Sequence, residues 1–162
     1  MESSPRLRNR NRAHGQRGVY AIEFALVFLI SFSLLYGVIA YGMMFAFRLG
    51  LQNAAEDGAR AALRYQPTLD QRKAQAKATA VLSSNWMPSV VAPIPDAKVC
   101  EVATNNCTTP TDSSCAVWAT RCQMVVTVKA SNLQLLLPPF PTFAMPDQIV
   151  GQASMLLDGR AP

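Results

Sequence analysis

The chain has 162 residues, half of them hydrophobic, and a formal charge of +5. That length suits one small domain and an anchor and excludes two sizeable cores. Residues 1–18 carry Arg6, Arg8, Arg10, Arg12 and Arg17 against Glu2, whereas residues 19–162 carry ten Lys/Arg against nine Asp/Glu; the near-neutral body excludes a basic surface that tracks nucleic acid.

Residues 1–18 are polar, arginine-rich and without apolar periodicity, and read as a disordered basic leader. Arginines beside a membrane span stay on the cytoplasmic side, so the N-terminus is expected inside and the C-terminus outside.

Residues 24–47 hold 24 consecutive uncharged residues. At about 1.5 Å per residue they reach roughly 36 Å, against about 30 Å of bilayer hydrocarbon. A helix apolar on all sides for this long is a membrane span rather than a core helix. A cleaved secretory signal would end at the small-residue site Val38-Ile39-Ala40, but the apolar run continues past it unbroken.

Glu23 sits at the edge of that run. Unpaired, it would cost roughly 2–3 kcal/mol if drawn toward the bilayer centre. It either snorkels to the interface or finds a cation. A cut after Gly18 would give Val19 a free ammonium, and Glu23 of one subunit could then pair with Val19 of another.

Gly18, four residues, then Glu23-Phe24 and an apolar helix resembles the type IV prepilin processing site. Glu23-Phe24-Ala25-Leu26-Val27, the region of Gly37 and Gly42, and residues 52–62 (QNAAEDGARAA) together resemble the TadE-like proteins of tight-adherence (Tad/Flp) pilus systems. The resemblance implies a pseudopilin-like minor subunit, cut between Gly18 and Val19 by a prepilin peptidase, with Glu23 and Phe24 serving assembly. It further implies a bacterial inner-membrane protein, its head periplasmic or carried into the pilus, whose partners are the peptidase and other pilin subunits. The alternative is an uncleaved single-pass protein whose exported head is a binding or scaffolding module.

Beyond the span the helix is expected to continue to Tyr65, with Phe47, Leu51, Ala54, Ala55, Gly58, Ala62 and Tyr65 on one side. Pro67 ends it. Gly42, Ala46, Gly50, Ala54, Gly58 and Ala62 recur every four residues, a ladder that permits close packing against neighbouring rods. The chain thus divides into a leader (1–18), a transmembrane and extended helix (19–65) and a head (66–162).

Residues 68–86 read as a second helix with Leu69, Ala76, Ala80 and Leu82 on its apolar side and Arg72, Lys73 and Lys77 on a solvated one. Pro88, Pro93 and Pro95 suggest an irregular linker. Residues 98–102, 122–129 and 148–157 read as strands, and 133–145, with Pro138, Pro139 and Pro141, as an extended loop packed on the head. The expected fold class is α+β: a pilin-like rod and a small disulfide-bonded antiparallel sheet.

Cys100, Cys107, Cys115 and Cys122 lie on the side expected to be outside, where disulfides persist. One antiparallel register would place Cys100 opposite Cys122 and Cys107 opposite Cys115, with a turn near Pro110-Thr111-Asp112. That nested pairing is favoured, its outer bond stabilising by roughly 3 kcal/mol; sequential pairing, Cys100–Cys107 and Cys115–Cys122, is the alternative. No two cysteines stand two to four residues apart, and the single histidine, His14, lies in the leader. No zinc site, and no other metal or cofactor, is therefore expected. The acids after the span are scattered and no glycine-rich phosphate loop occurs, so no catalytic residue is assigned and the protein is expected not to be an enzyme.

Overall fold

The computed structural model describes residues 17–108, 115, 121–136 and 146–157. The chain forms two compact units, Met1–Tyr41 and Gly42–Pro162. The class is α+β, as the patterning predicts.

Helix α1 runs over Arg17–Ala61. In the first unit, residues 18–35 are exposed throughout. This helix is long and apolar enough to cross a membrane. Phe24, Phe28 and Phe32 form a column with ring centroids 6.1 and 6.0 Å apart, the contact expected of aromatic residues four apart on a helix. Ser33 donates its hydroxyl to the Leu29 carbonyl at 2.7 Å. A polar group in an apolar run is thereby satisfied without leaving its own helix.

The second unit takes the rest of α1, from residue 42, together with everything that follows. After Ala61 the backbone tightens, Leu63 and Arg64 donating to the carbonyls of Arg60 and Ala61. Helix α2 covers Leu69–Ser84 and is capped by Thr68, whose side-chain oxygen accepts from the Gln71 N–H. A short 3₁₀ turn, Ser89–Val91, leads into strand β1, Ile94–Glu101. Strand β2 is Cys122–Ser131, a second 3₁₀ turn covers Leu133–Leu135, and strand β3 is Gln148–Leu156. The sheet is antiparallel in the order β1-β2-β3.

Burial along β2 alternates strictly: Cys122, Met124, Val126, Val128 and Ala130 point inward. They meet Phe47, Leu51, Ala54, Ala55 and Ala59 of α1, Ala62 just past its end, and Ala76 and Ala80 of α2 in one core. Each large apolar side chain so buried stabilises by about 1.5–3 kcal/mol.

The small residues let these layers close up. A Cβ on Gly58 would lie 2.9 Å from the Ala76 carbonyl and 3.1 Å from the Ala80 Cβ. Trp86 packs over Gly50 and stacks on Phe47, ring centroids 5.7 Å apart. Ser83 of α2 donates to Asp57 of α1 at 3.0 Å. With residues 76–80 beside Gly58, Ser83 beside Asp57 and Trp86 beside Gly50, α2 runs antiparallel to the last turns of α1.

Several expectations are corrected. From Gly50 onward the small-residue ladder serves the protein's own head: Gly50, Ala54, Gly58 and Ala62 face Trp86, the sheet and α2 rather than neighbouring rods. Helical period reports a face that packs, not what it packs against. Tyr65 is exposed and lies past the helix. Arg72, expected on a solvated face, is only 5 % exposed. An arginine's long stem can cover apolar surface while its head group reaches outward. Leu82, expected on the apolar side, is 74 % exposed.

Pro95 lies inside β1 rather than in a linker. An edge strand tolerates proline because one lateral row of its N–H groups bonds no neighbour. The loop expected at 133–145 begins as the 3₁₀ turn, and its residues 137–145 lie outside the described residues, as does most of the leader.

The disulfides are Cys100–Cys107 and Cys115–Cys122, not the nested pair. The β1–β2 register explains it. Cys100 stands opposite Gln123, and Cys122 opposite Glu101, one residue away from the register that nesting requires. Cys100 and Cys122 therefore project from opposite faces of the sheet and cannot meet. Each closes instead on a cysteine seven positions away in sequence.

Candidate processing and assembly segment

Gly18, Val19, Glu23 and Phe24 all lie in the first turns of α1. Val19 and Phe24 are exposed apolar residues and Glu23 is an exposed acid. Val19 and Glu23, four apart, share one helix face and differ by about 6 Å in rise.

Gly18 has no structural reason to be glycine. A Cβ there meets nothing within 4 Å, and its backbone is not in the left-handed region. Within a helix, glycine costs about 1 kcal/mol relative to alanine. Gly37 and Gly42 of the same helix have the same open space, so packing within the chain requires glycine at none of the three.

The opposite holds at Gly151 in β3. A Cβ there would lie 2.5 Å from the Leu51 carbonyl oxygen and 2.6 Å from the Gln52 nitrogen. The strand backbone rests directly on the helix backbone at this point. Beside it, Gln52 of α1 donates through Nε2 to the Gln152 carbonyl at 3.0 Å and accepts the Gln152 N–H on Oε1 at 3.2 Å. A helix side chain thus caps the free edge of β3 as a further strand would. Gln52 also donates to Glu56, which pairs with Arg60. Sequence reading included Gln52 in the resembling segment without giving it this role; glycine inside a strand was the available sign that another backbone approaches closely.

On the outer face of the sheet, Asp96, Lys98, Thr127, Lys129 and Gln152 border a shallow concavity of about 400 Å³. Asp96 bonds Lys77 of α2 at 3.0 Å and Lys98 at 3.5 Å. The hydrogen bond from Lys77, with the charges of both lysines, holds the Asp96 carboxyl below its ordinary range against the opposing effect of burial. The Lys77 pair ties α2 to β1, and the Lys98 pair lies within β1. Among the described residues no group of three or more His, Cys, Asp or Glu comes together in a metal-holding arrangement.

Residues 18–60 match the family model of the TadE-like proteins. The match starts at Gly18 and ends at Arg60, one residue before α1 does, so it covers the apolar helix and the part of it that packs on the head. No curated protein and no solved structure matches the chain. The apolar helix and the family match together fit a single-pass membrane protein associated with a Tad pilus.

Proposed function

From the TadE-like segment at residues 18–60, we propose that the chain is a pseudopilin-like minor subunit for biogenesis of a Tad (Flp) adherence pilus, matured by cleavage after Gly18. The basic leader stays in the cytoplasm, α1 crosses the inner membrane, and the disulfide-bonded head stands in the periplasm. The observation that carries this reading is the start of the family match at Gly18 itself, a glycine the fold does not need.

Cleavage would place a new ammonium on Val19. On its own helix that amine is axial, whereas Glu23 projects sideways and is exposed. Two parallel helices offset by about one turn, roughly 6 Å, would bring one subunit's amine level with the other's carboxylate. In lipid such a pair offsets the cost of an uncompensated acid, which rewards assembly over the monomer.

The test is co-expression with a prepilin peptidase. The wild-type chain is expected to lose its first 18 residues and Gly18→Ala to remain full length while folding equally well. Glu23→Ala is expected to insert normally and to fail in co-purification with partner subunits. Cleavage of the Gly18→Ala chain, or unimpaired assembly of Glu23→Ala, would contradict the reading.

A further inference from the structure

We infer that the head docks on the bilayer surface through the end of α2, with Trp86 seated among the lipid headgroups beside the point where α1 leaves the apolar layer. This rests on the reading of α1 as a membrane span.

Three observations converge. First, Trp86 is stacked on Phe47, and Phe47 is the last residue of the uncharged run that begins at Phe24; Arg48 follows. The indole is thereby held at the level where hydrocarbon gives way to headgroups. Second, α2 runs antiparallel to the last turns of α1, so its C-terminal end is the end nearest the apolar run. Leu82 there is 74 % exposed, Trp86 54 % and Val90 47 %. Third, residues 78–95 carry no charge over 18 positions, between Lys77 and Asp96. No charged residue thus interrupts the exposed apolar side chains along this stretch, and Asp57 of α1 meets it only at Ser83, whose hydroxyl it accepts.

A solvated head gains nothing from an exposed tryptophan flanked by exposed leucine and valine in a charge-free stretch. At a membrane surface the same set is favourable. The indole is amphipathic and prefers the headgroup layer, and Leu82 and Val90 leave water for the acyl boundary. Arg48, exposed on the adjacent turn, is placed for lipid phosphate. The occupant is thus lipid, continuous with the lipid around α1.

The chain has two tryptophans, Trp86 and Trp118, so Trp118→Phe leaves Trp86 as the reporter in the full-length protein. Reconstituted in phosphatidylcholine–phosphatidylglycerol nanodiscs, its emission should be blue-shifted. It should lose most of its intensity to lipids brominated near the headgroup end of the acyl chain, and much less to lipids brominated near the terminal methyl. Unreduced disulfide mapping and circular dichroism confirm that the variant is folded. A second protein, with Phe32→Trp as its sole indole, reports on the span and should be quenched by the deep label. Deep quenching at position 32 with none at Trp86 would overturn the docking while leaving the span intact. Loss of quenching at both positions would overturn the span and the docking together. An unquenched Trp86 whose emission shifts to the red on dilution would assign the patch to a protein partner, and would equally overturn the inference.

Discussion

Two glycines illustrate opposite reasons for the same residue. Gly151 is needed by packing, because any side chain would enter the backbone of α1 at Leu51–Gln52. Gly151→Ala is expected to destabilise the head by about 1–3 kcal/mol or more, read as a fall in the thermal midpoint of the full chain in detergent. Gly18 meets nothing, so Gly18→Ala should leave that midpoint unchanged or slightly raised and abolish maturation. Asp96 supplies a pH signature. Its folded pKa is depressed by Lys77 and Lys98. Its contribution is therefore present above the carboxyl's unfolded pKa and is lost as pH falls through the lower folded value. The pair is about half exposed, so Asp96→Asn should cost less than about 1 kcal/mol at neutral pH. The difference from wild type should close in acid below the folded pKa. Unfolding curves at both pH values check the sign.

At the level of strands and helices, the decisive feature is a one-residue register. Because Cys100 faces Gln123 rather than Cys122, each disulfide closes a short loop of its own. Peptide mapping without reduction should recover Cys100–Cys107 and Cys115–Cys122, and a fragment joining Cys100 to Cys122 would refute the register. Removing Cys115 and Cys122 together should cost about 2–3 kcal/mol by loop entropy. The strands themselves were readable from their β-branched runs. The register turns on β1: with Met124, Val126 and Val128 inward, the nested alignment would set Lys98 and Asp96 against them on the core face, whereas the observed one sets Val99 and Ala97 there. Pro95 misled for a related reason: a rule about proline in strands depends on whether the strand is an edge, which is decided by the sheet. The end of α2 was blurred by Leu82, whose identity suggests burial and whose position in the fold denies it.

For the molecule as a whole, the apolar helix and its acid were legible at once, since charge-free length and a lone carboxylate are properties of the chain itself. What the second half of the helix packs against was not. Gly50, Gly58 and Ala62 announce close approach, and only the fold says that the approach is to Trp86, α2 and the sheet. This shifts where assembly contacts should be sought. On the proposed reading they are expected along residues 18–35, which are exposed throughout, and not along the ladder beyond Gly50. Gly58→Leu should therefore fail by unfolding the head, detectable as lost protease resistance, before any defect in partner binding is reached. One covalent event is decisive, the cut after Gly18. Intact-mass and N-terminal analysis of the protein purified from membranes of its native host, with its peptidase active, is the direct measurement. A chain that begins at Val19 is expected; one that still begins at Met1 would rule out maturation after Gly18.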